Sequence, residues 1–499
     1  MKRPLIISAI ISVILSGALI KASSLIAILI LIINLVLFVL TLSFRPAREF
    51  CVFFAVALII SANSMLTFKT KIEPIPENAD QSILVLGTVT KEYYNNSKGV
   101  YVVKTSNQPQ TLPGGINITV RSGFTALSCG QKIECLMYVS PVKENIAYNY
   151  SNGIFATANI KTLLSCQDPS GFAKTILKLK NGIENTLFSN LSFSSAAVVN
   201  AITLGNDYYN SAEFETFARR SGVSHIMVVS GMHMAILCGS VLKILNLIGV
   251  NRKLSAVVTA VFLLFLMALC GFTMSVLRAG FTYFIMLFGL FIYRRIEPLN
   301  SLCAAVCIII MLNPFAVGSV SFVLSVSATA GIILLSDPIA NFICNFVKIK
   351  SRVLTLVVFL ASVTLAATLA TLPFTVYYFG VVSLVSVITN LLIDYAVSLA
   401  LIFAAVGMVA SALHFPQFII SGTFFLCEII TRYFTFIITA FGRYPNAEIT
   451  INKTFGATFF TLTIFAVTYF CYKNSVNNFL KKVVLNNAYC HRAIIKTKH

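Results

Sequence analysis

The sequence is poor in polar and charged residues. It contains no tryptophan, only five histidines, and 11% charged against 57% hydrophobic residues. A soluble globular protein of 499 residues needs far more polar surface, so this composition excludes one. The nucleotide-binding pattern G-x-x-x-x-G-K-S/T is also absent, as are the zinc-binding patterns H-E-x-x-H and H-x-H-x-D-H. We therefore expect no ATP site, no metal site and no other cofactor.

The sequence instead contains many long apolar runs. A bilayer core needs about 20 mostly apolar residues per helix. The runs lie at 4–20, 24–43, 50–67, 225–249, 254–273, 276–293, 299–317, 319–336, 353–372, 384–410, 417–440 and 455–472. The sequence therefore predicts a polytopic α-helical membrane protein with about 12 transmembrane helices.

The positions of the basic residues, which give the chain a net charge of +20, agree with the expected membrane topology. Basic residues cluster in the tail and in connections after alternate runs, for example Arg252 with Lys253 and Arg294 with Arg295. Cytoplasmic connections carry an excess of lysine and arginine, so we expect both termini in the cytoplasm. Residues 69–222 then lie outside, where 14 basic and 11 acidic residues nearly balance. The charge alone is therefore weak evidence for nucleic-acid binding.

The outside segment begins with a β-rich part at residues 69–170. Five short stretches rich in β-branched residues, from SILVLGTVT to FATANIKTLLSC, alternate with turn-rich pieces. Such strands favour a small barrel of the OB type, and a generic five-stranded sheet is the alternative. Cys129, Cys135 and Cys166 lie in this part, and an oxidising exterior would allow one disulfide among them.

Residues 171–222 connect the β-rich part to the next apolar run. GFAKTILKLKNGIENTLF has apolar residues at helical spacing opposite lysines, which predicts an amphipathic helix over 171–188. This helix would lie on the outer membrane surface or pack on the β-rich part. The residues that follow predict helix with a break at Gly205–Asn206.

Two of the five histidines lie in an apolar run, SHIMVVSGMHMAILCG, at Ser224–Gly239. His225 and His233 would be about 12 Å apart along a straight helix, so one metal ion cannot join them unless the helix breaks. Ser230 precedes His233 by one turn, and an intramembrane serine hydrolase using both is an alternative. Polar residues at membrane depth otherwise line a path or join helices by hydrogen bonds. Gly231 would let a strand or a neighbouring helix approach closely.

Other apolar runs also contain polar residues. Arg278 lies near the outer end of its run and would reach the interface by snorkelling. Asn390 and Asp394 lie together in a later run. Glu428 and Arg432 are one turn apart and would neutralise each other. The two histidines, Arg278, Asn390 and Asp394 occupy at least three runs, and we interpret them as a shared polar path.

Four blocks resemble the ComEC family, the competence proteins that pass DNA across the bacterial inner membrane. FARRSGVSHIMVVSGMHMAIL resembles the family signature, and GFTMSVLRAGF with RRIEPLN resembles its P-S-x-x-R-A and R-x-x-D-P-L-N patterns. GSVSFVLSVSATAGIILL and ASVTLAATLATLPFTVYYFG resemble the next two blocks, in the same order. Met274 replaces the usual proline, Glu297 replaces the usual aspartate, and Asp394 falls near a position where proline is usual.

The resemblance implies an inner-membrane channel for single-stranded DNA in natural transformation, without catalytic residues. Under this interpretation the channel-lining residues are His225, Ser230, Gly231, His233, Arg278, Asn390 and Asp394. Tyr377, Tyr378 and Phe379 would stack bases or form an interfacial aromatic belt. The chain resembles a short form without the family's C-terminal metallo-β-lactamase-like domain. The expected partners are therefore single-stranded DNA, the lipid bilayer, an external DNA receptor, a cytoplasmic helicase-type motor and a separate nuclease.

The resemblance also divides the chain into expected domains. These are N-terminal transmembrane anchors at 1–68, an extracytoplasmic OB-like domain at 69–170, amphipathic and connecting helices at 171–222, a transmembrane channel domain at 223–472, and a basic cytoplasmic tail at 473–499. Two other functions remain open. One is a transporter or flippase for another anionic polymer or lipid, and the other is the intramembrane serine hydrolase.

Overall fold

The structure is a computed structural model of the chain. It describes residues 4–20, 24–43, 51–75, 82–95, 98–106, 114–122, 127, 129–294, 296–348 and 351–451. The predicted run at 455–472 and the tail at 473–499 lie outside the described residues. The chain divides into two compact units, Met1–Val326 with Ile388–Tyr444 and Ser327–Val387 with Pro445–His499. Each unit is described separately below.

Five strands of the first unit form a closed barrel in the order β1-β2-β3-β5-β4. The strands are β1 (Ser82–Asn95), β2 (Lys98–Thr105), β3 (Asn117–Ser122), β4 (Lys132–Pro141) and β5 (Ile154–Gln167). Only β3 and β5 pair in parallel, and the antiparallel pairing of β1 with β4 closes the barrel. The five predicted strands are thus confirmed.

Strand β1 is five residues longer than the predicted stretch because it pairs with two neighbours. Its first half pairs with β4 and its second half pairs with β2. The register shifts between Val89 and Lys91, and such a bulge bends a strand and increases its twist. The inward residues alternate with outward ones, so that Ile133, Cys135 and Met137 of β4 all lie in the barrel core.

The described residues outside the barrel are mostly helical. The helices are α1 (Pro4–Ile20), α2 (Ser24–Ser43), α3 (Cys51–Thr67), α4 (Ile146–Ser151), α5 (Gly171–Asn190), α6 (Phe193–Leu204), α7 (Ala212–Arg220), α8 (Gly231–Leu247), α9 (Arg252–Leu269), α10 (Met274–Phe291), α11 (Pro298–Leu312), α12 (Val320–Val347), α13 (Arg352–Phe379), α14 (Ser386–Ala412) and α15 (Gln417–Arg443). Within the described residues, six helices are long and apolar enough to cross a membrane, namely α9, α10, α12, α13, α14 and α15. Helices α6, α8, α11 and the part of α1 from Ser8 are apolar but shorter. The chain is therefore a polytopic membrane protein.

The predicted amphipathic helix and the predicted break after it are both present. Helix α5 covers the predicted residues 171–188 and ends at Asn190. Helix α6 ends at Leu204, and Gly205 follows with φ of +72°. Glycine enters this left-handed region without steric cost, so it commonly ends a helix.

Two hydrophobic cores hold the helices of the first unit together. The first core joins α6, α7, α14 and α15, with Val199, Val397 and Phe434 among its fully buried members. The second core joins α8, α9 and α10, with Cys238 and Leu263 among its fully buried members. The residues between α7 and α8 contribute to both cores, which places this connection where the two cores meet.

The barrel is attached to the end of α11. The side-chain amide of Asn313 donates to the backbone oxygen of Ser151 over 2.7 Å. Phe315 packs edge-on against Tyr150, with ring centroids 5.5 Å apart. A Cβ atom at Gly318 would collide with the backbone oxygen of Ala147. Helix α4 of the barrel therefore lies directly on the connection between α11 and α12.

The second unit contains α13 and a two-stranded sheet of β6 (Val381–Ser383) and β7 (Glu448–Thr450). Gly380 ends α13 with φ of +67°, and Gly331 lies against Ala366 and Ala370 of α13. The side chains of Tyr377, Tyr378 and Phe379, at the end of α13, are all exposed. Their exposure fits both the stacking and the belt interpretation.

Candidate functional site

The apolar run at Ser224–Gly239 is not one continuous helix. Helix α7 ends at Arg220, Gly222 has φ of +78°, and Ser224–Ile226 form a single 3-10 turn before α8 begins at Gly231. The predicted transmembrane run at 225–249 is therefore wrong in its first six residues. The physical reason is local: glycine favours a helix end and serine favours the residue just before a helix.

Ser230 and His233 together cap the start of α8. The Ser230 hydroxyl accepts a hydrogen bond from the backbone N–H of His233 over 3.4 Å. The Nδ1 atom of His233 accepts a hydrogen bond from the backbone N–H of Ser230 over 3.3 Å. Because a neutral imidazole carries one hydrogen, that hydrogen is then on Nε2. The two residues thus form a reciprocal capping box, with histidine in the position usually held by glutamate or glutamine.

The Nε2 atom, on the side of the His233 ring opposite Nδ1, is the unusual part of this cap. The side chain is only 1% exposed. Its Nε2 atom has no hydrogen-bond partner among the described residues. Buried polar groups in folded proteins nearly always have a partner, and an unmet one needs an explanation.

Arg278 lies against the start of α8. Its side chain is 6% exposed, so the predicted snorkelling to the interface is wrong. A Cβ atom at Gly231 would lie 2.7 Å from the Nη2 atom of Arg278. Any larger residue at this position would therefore force the guanidinium group to shift. The structure thus brings Ser230, Gly231, His233 and Arg278 together at one helix terminus.

This terminus lies at the boundary between the two hydrophobic cores. Ile226 and Met227 pack in the first core, whereas Val229 and Met234 pack in the second. His225 is exposed on the 3-10 turn between them. The non-helical residues therefore carry the chain from the first core to the second, which a continuous helix could not do.

Asn390 and Asp394 lie one turn apart on α14. The Asn390 side chain is buried, and its Oδ1 atom has no hydrogen-bond partner among the described residues. Asp394 is half-buried. Helix α14 packs against the 3-10 turn through Ile393. Among the described contacts, none joins Asn390 or Asp394 directly to the Arg278 guanidinium.

Glu428 and Arg432 form the predicted pair, but a third residue joins them. The Arg432 Nε atom lies 2.6 Å from Glu428 Oε1. Glu428 also accepts hydrogen bonds from the hydroxyl and the backbone N–H of Ser192, over 2.7 and 3.2 Å. Ser192 is the residue before α6, and it is 236 positions away in the sequence. Sequence spacing therefore gave no signal for this contact.

The three cysteines of the barrel segment are free thiols. Cys135 is buried in the barrel core, and Cys166 is exposed. Burial raises the pKa of the Cys135 thiol to about 12, with a smaller contribution from the neighbouring Glu134 carboxylate. Cys135 points inward and Cys166 lies on the surface, so these two thiols do not face each other, and one disulfide among the three cysteines stays a prediction. No group of three or more metal-ligating side chains occurs among the described residues.

Comparison with known proteins identifies the family. ComE operon protein 3 of Bacillus subtilis (strain 168) is 26% identical over 327 residues, which cover 65% of this chain and 40% of that protein. The chain thus matches well under half the length of this curated relative. No solved structure matches it significantly. The family model described as Competence protein matches residues 202–476, which include the capped terminus of α8 and the contact with Arg278. Since this match covers more than half of its residues, the chain belongs to the competence protein family.

Proposed function

We propose that this protein passes single-stranded DNA across the bacterial inner membrane into the cytoplasm during natural transformation. Membership of the competence protein family supports a role in DNA uptake. The relative in Bacillus subtilis, ComE operon protein 3, matches over 65% of this chain. Transport of a single strand as the mechanism is our inference from the site.

The convergence of positive groups at the start of α8 carries this proposal. The Arg278 guanidinium lies against Gly231, the first residue of α8. A helix N-terminus carries a partial positive charge and presents free backbone N–H groups. The His233 Nε2–H adds a buried donor. Arginine, imidazole N–H and a helix N-terminus are the groups that bind phosphate oxygens.

The barrel and the topology fit the same proposal. We propose that the closed five-stranded barrel is of the OB type, a fold that binds oligonucleotides in other proteins. The barrel helix, however, lies between β4 and β5. We propose twelve membrane spans, both termini in the cytoplasm and the barrel outside, where it would meet incoming DNA. We also infer that the seven predicted lining residues face the path, although only Ser230, Gly231, His233 and Arg278 form one cluster.

The serine hydrolase is less well supported than transport. A nucleophilic serine needs its hydroxyl hydrogen-bonded to a base. Here the Ser230 hydroxyl faces the backbone N–H of His233, and the imidazole faces the backbone N–H of Ser230. A flippase for an anionic lipid would use the same positive groups, so only the transported molecule distinguishes it from a DNA channel.

Energy and strand degradation are proposed to come from other proteins. The sequence contains no nucleotide-binding loop. We therefore propose a cytoplasmic helicase-type motor that pulls the strand, a separate nuclease, and an external receptor that delivers DNA. The protein itself would act as a passage rather than as an enzyme.

The experiment is transformation of a clean deletion strain complemented with variants of the gene. Gly231→Ala should lower transformation by about tenfold or more, because the new methyl group displaces the guanidinium and a charge-assisted bond is worth about 1.5–3 kcal/mol. Gly182→Ala on α5 is the matched control, since a Cβ atom there meets nothing within 4 Å. Both variants should be present in the membrane at normal level.

Two outcomes would contradict the proposal. If the deletion strain takes up labelled DNA and transforms normally, DNA transport is excluded. If that strain instead loses transbilayer movement of an anionic lipid, the flippase is supported. Normal transformation by Gly231→Ala would leave DNA uptake intact but would remove the start of α8 from the path.

A further inference from the structure

Arg432 lies near the middle of the membrane helix α15. At about 1.5 Å per residue it is roughly 22 Å from Gln417 and roughly 16 Å from Arg443, the two ends of the helix. The hydrocarbon core of a bilayer is about 30 Å thick. Arginines near helix ends reach the interface by snorkelling, but this position is too deep for that. The guanidinium group is therefore at membrane depth.

The Arg432 side chain is not enclosed by the described residues. It is 69% exposed, whereas its partner Glu428 is 16% exposed. Only its Nε atom is hydrogen-bonded among the described residues, to Glu428. The Glu428 carboxylate is shared, because Ser192 donates two further hydrogen bonds to it. The outer nitrogens of Arg432 thus remain open to a partner outside the described contacts.

A charged group at this depth does not face lipid. Ionisable residues in membrane helices face a water-filled cavity, a bundle interior or another protein, because exposure to hydrocarbon is costly. The surrounding face of α15 is mixed rather than uniformly apolar. Glu428, Arg432, Thr435 and Thr439 form a polar stripe at helical spacing. Phe436 is exposed beside this stripe.

This combination matches the chemistry of a single nucleic-acid strand. Proteins that bind single strands without sequence preference combine positive side chains for the phosphates with aromatic rings for the bases. Arginine also presents a planar fork of donors that fits phosphate oxygens in pairs. A second copy of this chain would instead need an acidic or carbonyl-rich surface opposite Arg432.

We propose that Arg432 binds the phosphates of the DNA strand at mid-membrane depth, as a second contact after the start of α8. This inference rests on the proposed function. Glu428, fixed by Ser192, holds the guanidinium in place through Nε and leaves its outer nitrogens for the strand. Arg432 is therefore a binding residue, and Glu428 and Ser192 are positioning residues.

A structural role for Arg432 makes a different prediction from a binding role. If Arg432 only neutralises Glu428, then Glu428→Gln combined with Arg432→Gln restores transformation, because no unpaired charge remains and glutamine still accepts from Ser192. If Arg432 binds phosphate, the double variant stays as defective as Arg432→Gln, with a loss of about tenfold or more. Arg432→Lys should retain an intermediate level. Arg352→Gln, at the exposed start of α13, is the matched control and should transform normally.

Photocrosslinking during uptake identifies what lies against this face. We expect p-benzoylphenylalanine in place of Phe436 to crosslink to labelled single-stranded DNA. The same substitution at Phe288, a similarly exposed phenylalanine of α10, should not crosslink to it. Crosslinks to a second copy of the chain, or restoration by the double variant, would overturn the proposal while leaving DNA transport in place. Normal uptake of labelled DNA by the deletion strain would instead count against the proposed function itself.

Discussion

The His233 side chain has two different functions at its two ring nitrogens. Nδ1 accepts the backbone hydrogen bond that caps α8, and Nε2 is buried without a partner among the described residues. A cap of this kind contributes about 1 kcal/mol to helix stability, which many variants of a large protein tolerate. The buried donor at Nε2 is the part that a passing phosphate would use.

Substitution of His233 separates the two functions. His233→Glu keeps a side-chain acceptor for Ser230, as in an ordinary capping box, but its carboxylate has no N–H to place where Nε2 lies. We expect it to reach the membrane at normal level and to transform at least about tenfold less well, as His233→Ala should, since a phosphate left without a partner in a low-dielectric passage is costly. Transformation frequency against membrane protein level is the measurement. Full transformation by His233→Glu would show that His233 acts only as a cap.

At the scale of the elements, one short connection determines the geometry of the site. The residues between α7 and α8 pass from one hydrophobic core to the other, so the start of α8 meets α10 at Gly231. Helix α6 is held in a similar way, because Glu428 of α15 binds the residue before it. Polar residues thus act at helix ends that lie within the membrane part, where backbone groups need partners.

The barrel gives an independent test of its inward and outward faces. Cys135 points into the core and has a pKa of about 12, so at pH 8 only about one thiol in ten thousand is the reactive thiolate. Cys166 is exposed. We expect iodoacetamide at pH 8 to label Cys166 without prior reduction and to leave Cys135 unlabelled until the protein is unfolded. Mass spectrometry of the labelled protein measures both. Labelling of Cys166 only after reduction would instead support the predicted disulfide.

At the scale of the whole molecule, the membrane topology determines which side the barrel faces. Basic residues lie in connections that alternate along the chain, for example at Arg252 and at Arg294. The described residues include six helices of sufficient length and apolarity to cross the membrane, and several shorter apolar helices. The contact of Asn313 with Ser151 places the barrel at the same side as the end of α11.

Reporter fusions test the twelve-span topology directly. A fusion after Ser106, in the barrel, should report the outside. A fusion after Lys482 should report the cytoplasm, because segments rich in lysine and arginine stay on the cytoplasmic side of the membrane. Alkaline phosphatase and a cytoplasmic fluorescent reporter give opposite signals at the two sites. Equal signals from both fusions would contradict the topology, whatever the protein transports.

Local sequence determined the elements of this protein to a large extent. β-Branched stretches predicted the five strands, glycine predicted the end of α6, and apolar length predicted the six described helices that are long enough to cross a membrane. The family signature drew attention to Ser230, Gly231, His233 and Arg278, which the structure brings together. Each of these signals lies within one element or one motif, so the sequence alone is enough to recognise it.

Only the tertiary structure decided how distant elements meet. Ser192 binds Glu428 from 236 positions away, and Arg278 lies against Gly231 because α8 and α10 pack in one core. The break in the predicted run at 225–249 has a local cause in its glycine and serine, but only the packing shows that the apolar residues on its two sides belong to two different cores. Hydrophobicity specifies that a residue is buried, but burial is non-directional, and the choice of neighbour depends on the packing of the whole chain.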